Sequence, residues 1–239
     1  MKFPEKAFYV KQYNIENGLF SLCEDEYYHA TKVLRLGIGD TIVLIDGKST
    51  GYFGVIDQLK KKTLSGTIKK VISNLGENKN TICIFPGLFK KSRFEILLEK
   101  ATELGVKEIH PIIMERSIVS SINMDRCNKI LISAAKQSRR SFFPILHEPK
   151  RLDILLEKNK NCNYHACHLE AKQNLSIQKS RHAHSFNIII GPEGGFSDQE
   201  LHLMEDSGVL FFNLGKRRLR SETAAIASIA LFNEIAEIE

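Results

Sequence analysis

The sequence predicts a two-part protein: a small β-rich module in front of an α/β domain built on a mostly parallel sheet. Three observations carry this. Short apolar runs punctuated by Gly37, Gly39, Gly47, Gly51 and Gly54 occupy residues 1–72. A polar stretch, "SNLGENKN" (Ser73–Asn80), then breaks the pattern. Beyond it, apolar residues recur at helical spacing between short strand-like runs, and such alternation buries a parallel sheet between helices. At 239 residues and 43% hydrophobic content, the chain can bury a core in each part. The expected domains are residues 1–72, a β-barrel-like module, and residues 73–239.

In the first part, "AFYVKQY" reads as a strand, "EDEYYHATKVLR" as a helix, and "DTIVLID", "GYFGVIDQL" and "LSGTIKKVI" as further strands. The segment "DGKSTG" between two of these strands predicts a hairpin loop. In the second part, Phe94, Leu97, Leu98, Ala101 and Leu104 share one helical face, and Gly105 is placed to end that helix in a left-handed turn. "IHPII" follows as a strand, and Cys127, Ile130, Leu131, Ala134 and Ser138 mark a second helix. "YHACHLE" and "NIII" read as strands. "SDQELHLMEDSG" reads as a helix with a capping box from Ser197 to Glu200 and a stop at Gly208. "VLFFNL" is the next strand, and a last helix opens at Ser221.

The charge surplus of +6 permits a polyanionic partner without demanding one, so local clusters decide the matter. No run of 18 apolar residues is present to cross a bilayer, and the first residues lack the apolar core of a signal peptide. Five cysteines at irregular spacing suit reduced thiols better than a disulfide framework. A cytoplasmic protein is expected.

Two segments concentrate the chemistry. "GPEGG" (Gly191–Gly195) follows the apolar run ending at Ile190, where a parallel sheet presents ligand sites. Its glycines allow positive φ and close approach of backbone to a ligand, although they equally suit an ordinary strand-to-helix turn. No phosphate-loop pattern is present, and Glu193 would repel a phosphate. A ligand with a positive centre and many polar atoms fits better, an adenosyl sulfonium being one such. "LGKRRLRSETA" then crowds Lys216, Arg217, Arg218 and Arg220 against a helix N-terminus, where cations oppose the macrodipole. These cations serve either a solvated loop or an anion. Lys90, Lys91, Arg93, Arg139, Arg140 and Arg35 extend the basic set, and such residues position a nucleic acid without reading its sequence.

"CNYHACHLE" holds Cys162, His165, Cys167 and His168, but the spacing matches no zinc pattern, and no metal is expected. No nucleophile elbow or local Cys–His signature appears.

Taken together, "GPEGGFSDQE" and "LGKRRLRSETAAIA" resemble the paired C-terminal motifs of the RsmE family, SPOUT-class methyltransferases that modify N3 of a uridine in 16S ribosomal RNA. "HATKVLRLGIGD", "KKSRFEILLEKATELGVKEIHPI" and "AAKQSRRSFFP" resemble earlier motifs of the same family, so the likeness spans nearly the whole chain. The resemblance implies an N-terminal PUA-like β-barrel, a C-terminal α/β domain with a trefoil knot, a homodimer, and S-adenosylmethionine as cofactor. It implies cofactor contacts from Leu169, Glu170, Gly191, Pro192, Glu193, Gly194, Gly195, Leu214, Gly215 and Leu219. It further implies that Arg217, Arg220 and Glu222 lie beside the methyl group, with Arg140, Lys100 and Glu103 nearby; the catalytic roles expected of them are stabilisation of the developing uracil oxyanion by Arg220, with Arg217, and orientation of Arg220 or relay of the proton by Glu222. Arg35, Lys90, Arg93, Arg139, Arg140, Lys216 and Arg218 are the expected RNA contacts. Lys216 and Arg218 stand where the family commonly has proline and isoleucine, and Ser221 where it commonly has threonine. A binding protein that keeps the scaffold without the chemistry, and a methyltransferase for another RNA, are the alternatives.

Overall fold

The computed structural model describes residues 7–158, 163–172 and 185–237. The chain forms two compact units, one of Met1–Glu77 with Ile132–Phe143 and one of Asn78–Leu131 with Pro144–Glu239. The second stretch of the first unit is a return that no linear reading of composition contains.

Among the described residues, six strands build the first unit: β1 (Ala7–Tyr9), β2 (Ile15–Glu16), β3 (Leu19–Cys23), β4 (Thr41–Ile45), β5 (Thr50–Lys60) and β6 (Thr63–Ser73). They form one mixed sheet in the order β1-β4-β5-β6-β3-β2, parallel at β1–β4 and antiparallel elsewhere. Strands β2 and β3 escape the sequence reading because "NIENGLFSLC" is polar for half its length. Register shifts at Phe53/Gly54 and Ile56/Gln58 mark bulges in the long β5–β6 pair, which bend it. Phe8, Phe20, Leu22, Ile42, Leu44, Ile56 and Leu64 fill the core. The "DGKSTG" turn closes on Asp46, whose Oδ1 accepts from the Lys48 and Thr50 amides at 2.7 and 3.0 Å. The expected first helix changes pitch: α1 (Glu24–Tyr28) passes into a π-helical turn at His29–Val33.

Among the described residues, the second unit is built around a six-stranded, wholly parallel sheet. Its strands are β7 (Thr81–Pro86), β8 (Glu108–Ile109), β10 (Ile145–Leu146), β12 (Tyr164–Cys167), β13 (Ser185–Ile190) and β14 (Leu210–Phe212), ordered β10-β8-β7-β13-β12-β14. The "IHPII" strand is split at Pro111 into β8 and β9 (Ile112–Ile113), and β9 pairs with β11 (Lys150–Arg151) in a separate ribbon. Alternation along the central strands divides the core. Ile82, Ile84, Phe186, Ile188 and Ile190 face the cluster that includes α2 (Lys91–Glu103) and α6 (Ser221–Glu237). Cys83, Phe85 and Ile189 face the one with α4 (Leu152–Lys158) and α5 (Asp198–Asp206). Helix α3 (Met124–Ser138) begins in this unit and ends in the first.

Helix ends follow the chemistry of their caps. Gly105 has φ +89° just after α2. At α5 the Ser197 hydroxyl accepts from the Glu200 amide while the Glu200 carboxylate accepts from the Ser197 amide, a complete capping box. Among the described residues no helix is long and apolar enough to cross a membrane.

Candidate active site

Adjacent parallel strands deliver three loops to one edge of the sheet. Strand β12 lies between β13 and β14, and all three run the same way. Their C-terminal ends therefore place His168–Lys172, Gly191–Ser197 and Asn213–Arg220 side by side, at the edge where such sheets bind ligands. A cleft of about 550 Å³ opens between the loops. That volume suits a nucleoside-sized molecule.

Hydrogen bonds tie each loop to its neighbours. The Asn213 side chain donates to Ala171 O at 2.7 Å and accepts from the Gly215 amide at 3.1 Å. The Gly195 amide closes a turn on Pro192 O at 2.9 Å, with Gly195 at φ +72°, a conformation that favours glycine. Arg116 donates to Phe196 O at 2.8 Å and to Gly194 O at 3.3 Å. A Cβ at Gly194 would stand 2.9 Å from Arg116 Cβ, so the guanidinium stem can lie over the loop only because residue 194 has no side chain.

All ten expected cofactor residues line this cleft: Leu169, Glu170, Gly191 through Gly195, Leu214, Gly215 and Leu219. Arg217, Arg218 and Arg220 line it too, all three exposed, and among the described residues no carboxylate is ion-paired with any of them. Lys216 is exposed and is not part of the lining. Arg116, Cys167, His168 and Phe196, none of them assigned to this site from the sequence, also line the cleft, as do Ile190, Ser221 and Ala224. Each sits within a core-facing or ordinary pattern, and only the fold turns it toward the loops. Burial pushes the Cys167 thiol up to about 11, which keeps it from serving as a nucleophile at neutral pH.

Two of the acidic residues have partners the sequence did not suggest. Glu193 is not offered free to a cationic ligand: its Oε1 accepts from Arg93 at 3.1 Å, and Arg93 Nε is 3.7 Å from Glu222. Arg93, expected to touch RNA, is thus half-buried between two carboxylates at the cleft. The arginine that Glu222 meets is Arg93, in place of the Arg220 that the sequence suggested. The second oxygens of Glu193 and Glu222 are both buried without a hydrogen-bond partner. Of the two, Glu193 lines the cleft beside a cradle of glycine backbone and leaves hydrogen-bonding capacity for a polar ligand, whereas Glu222 lies behind Arg93 and is not part of the lining. Leu169, Leu214 and Leu219 add an apolar lining suited to a flat base, so the residues present fit an adenosyl compound.

The remaining basic residues divide. Arg35, Lys90 and Arg139 are exposed. Arg140 corrects the expectation of an RNA contact: it is 1% exposed, and its guanidinium grips Glu77 at 3.2 and 2.8 Å. A buried guanidinium already forked on a carboxylate has no face left for a phosphate. Lys100 and Glu103 pair with each other at 2.9 Å on α2 and do not line the cleft. Of the zinc-like group, Cys162 lies outside the described residues, and His165 is packed between Phe186 and Phe232.

The comparisons with known proteins converge on the same architecture. A family model described as an RNA methyltransferase domain matches residues 76–233, and one described as an RNA methyltransferase PUA domain matches residues 22–69. The ribosomal RNA small subunit methyltransferase E of Rickettsia conorii is 32% identical over 226 residues, covering 93% of this chain and 92% of its own. The crystal structure of the Neisseria gonorrhoeae enzyme of that name, bound to S-adenosyl methionine, is similar over 98% of both chains, with a TM-score of 0.85 and 29% identity. A methyltransferase from Legionella pneumophila in complex with bound cofactor SAM is also similar, over 96% of this chain and 98% of its own, with a TM-score of 0.81 and 29% identity. With a parallel sheet presenting this three-loop cleft and matches over nearly the full length, the chain belongs to the ribosomal RNA small subunit methyltransferase E family.

Proposed function

We propose that this protein transfers the methyl group of S-adenosylmethionine to N3 of a uridine in the 16S RNA of the small ribosomal subunit. The observation that carries the reading is the cleft itself. Backbone-rich loops of the kind that cradle an adenosyl group face three arginines without acidic partners on the rim. The former suit the cofactor and the latter a polyanion.

The bound cofactor supplies an electrophilic methyl, whose bond to sulfur breaks as the bond to N3 forms, the sulfur keeping the electron pair. The protein has to manage the rest. Uracil N3 is an imide nitrogen and gives up its proton before or during attack, so negative charge develops on the flanking oxygens. Arg220, with Arg217 beside it, stabilises that charge from the rim, a form of electrostatic preorganisation. Glu222 lies in the first turn of α6, which begins at Ser221. Its ion pair with Arg93 helps fix the Glu193 loop, and its unpartnered oxygen is an acceptor for a relayed proton. Lys216 and Arg218, with Arg35, Lys90 and Arg139, contact the RNA backbone, and Arg93 belongs to the cleft. N3 lies on the pairing edge of the base, so the target uridine is unpaired or flipped out.

The reading includes a homodimer, a trefoil knot around the cofactor, a PUA-like module over residues 1–72 that holds RNA, and action in the cytoplasm. It assigns no metal to methyl transfer. The test is transfer of labelled methyl to small subunits lacking the modification, with naked RNA and large subunits as controls and mass-spectrometric mapping of the product. Label at N3 of one small-subunit uridine is the expected result. Absence of label, from a folded protein that still binds the subunit, overturns it.

A further inference from the structure

Away from the cleft, two histidines and a glutamate meet at the opposite border of the parallel sheet. Glu108 lies in β8, His110 follows it by two residues, and His147 directly follows β10, the edge strand. The register pairs Ile145 with Glu108 and Leu146 with Ile109, and the His147 amide continues the ladder to Ile109 O at 2.9 Å. His110 and His147 are thus cross-strand neighbours, and the two-residue repeat of a strand puts Glu108 on the same face. The two rings stack with centroids 3.9 Å apart, and Phe85 of β7 stacks on the far side of His110 at 4.6 Å. One carboxylate oxygen, Glu108 Oε2, lies 2.7 Å from His147 Nε2 and 3.1 Å from His110 Nε2.

We propose that Glu108, His110 and His147 form a site for a divalent cation of the zinc class. One ligand atom from each residue falls within 4.8 Å of the others, among the described residues the one such grouping of three. Two imidazoles and one carboxylate are a donor set that favours zinc, cobalt or nickel over calcium or magnesium. Three protein ligands on a half-open surface leave a position for water. The side chains are 21%, 33% and 37% exposed for His110, His147 and Glu108, so an ion can enter without the sheet opening. Because the rings are nearly parallel, an ion between them turns the more exposed His147 ring out of the stack while Phe85 holds His110 in place. Both rings then carry their remaining proton on Nδ1.

The bound ion acts as a clip. Strand β10 is two residues long and lies at the sheet edge, so a bond from His147 to β8 through the metal would fasten the Ile145–Arg151 segment to the body of the domain. No ligand spacing in the sequence announces this group, because 37 residues separate His110 from His147 and only strand register brings them together.

The test uses the full chain, stripped with a chelator and titrated with Co²⁺, with Zn²⁺ as competitor. It follows the visible absorption of the bound cobalt and the melting temperature. One equivalent should bind, zinc should displace it, and the melting temperature should rise. His147→Gln and Glu108→Gln, each checked for fold by circular dichroism, should each weaken cobalt binding at least about tenfold and remove the melting shift. Absence of binding by either ion overturns the proposal. Binding that survives unchanged in both variants also overturns it, because it would place the ion elsewhere.

Discussion

Arg140 offers a sharp test, since its sequence neighbourhood points to RNA and its surroundings point inward. The guanidinium and the Glu77 carboxylate are 2% and 1% exposed as side chains, and the pair makes two charged hydrogen bonds. Glu77 Oε1 also accepts from the Phe142 amide at 3.1 Å. Arg140→Ala removes these charged bonds and leaves the Glu77 carboxylate in the interior without its guanidinium. At roughly 1.5–3 kcal/mol for each charge-assisted bond, the loss reaches about 3–5 kcal/mol, the range for breaking a buried pair on one side. With a urea dependence of about 2 kcal/mol per molar, the unfolding midpoint should fall by roughly 2 M. Arg140→Lys keeps the charge but not the fork, and should fall in between. Arg140→Met combined with Glu77→Met should recover part of the loss, because no charge is then buried, although the Phe142 amide still lacks its acceptor. Urea titration by circular dichroism measures all four proteins, and filter binding to small-subunit RNA runs alongside. If Arg140→Ala left the midpoint within about 0.3 M of the parent and weakened RNA binding instead, the assignment of Arg140 to the interior would be refuted.

Three other outcomes follow from the cleft and the core. Arg220→Ala should lower methyl transfer about 10²–10³-fold while calorimetry shows cofactor affinity little changed, and normal turnover would remove Arg220 from the mechanism. Gly194→Ala forces a Cβ against Arg116; S-adenosylmethionine should bind at least about tenfold more weakly, with the fold intact by circular dichroism. Burial holds His165 below its ordinary value, so the unfolded chain gains a proton that the folded chain refuses as pH falls below about 6.5. Its contribution to stability is therefore full above that pH and declines below it. His165→Gln should show a shallower loss of stability between pH 7.5 and about 5.5 than the parent, and an equal slope would show that His165 is not held neutral.

The sequence made the cleft far easier to read than the rest of the protein. Gly191–Gly195 and Leu214–Leu219 announce themselves because a loop that touches a ligand with its backbone needs residues that a core or an ordinary surface does not. The ends of α2 and α5 were equally legible, since Gly105 and the Ser197–Glu200 pair act within a single turn. Strand β7 went unread although it pairs with β13 along its whole length. "TICIFP" is a short apolar run, and period alone does not tell such a run from part of a helix. Arg93 and Arg140 were misplaced for a related reason. Both carry full charge beside other basic residues, and only tertiary structure shows that Glu193, Glu222 and Glu77 meet them. Pairings across 63 and 100 residues leave no trace in local composition.

The three loops that make the cleft come late in the chain. Apart from Arg93 and Arg116, every residue of its wall lies between Cys167 and Ala224. During synthesis, then, the chain through Ala224 must emerge before the whole site can hold an adenosyl ligand, and the earlier segments have to fold without its help. Ligand binding stabilises only a state that already contains the site. A chain cut short before Leu219 would lack part of the wall, so cofactor occupancy also reports that these residues have been made.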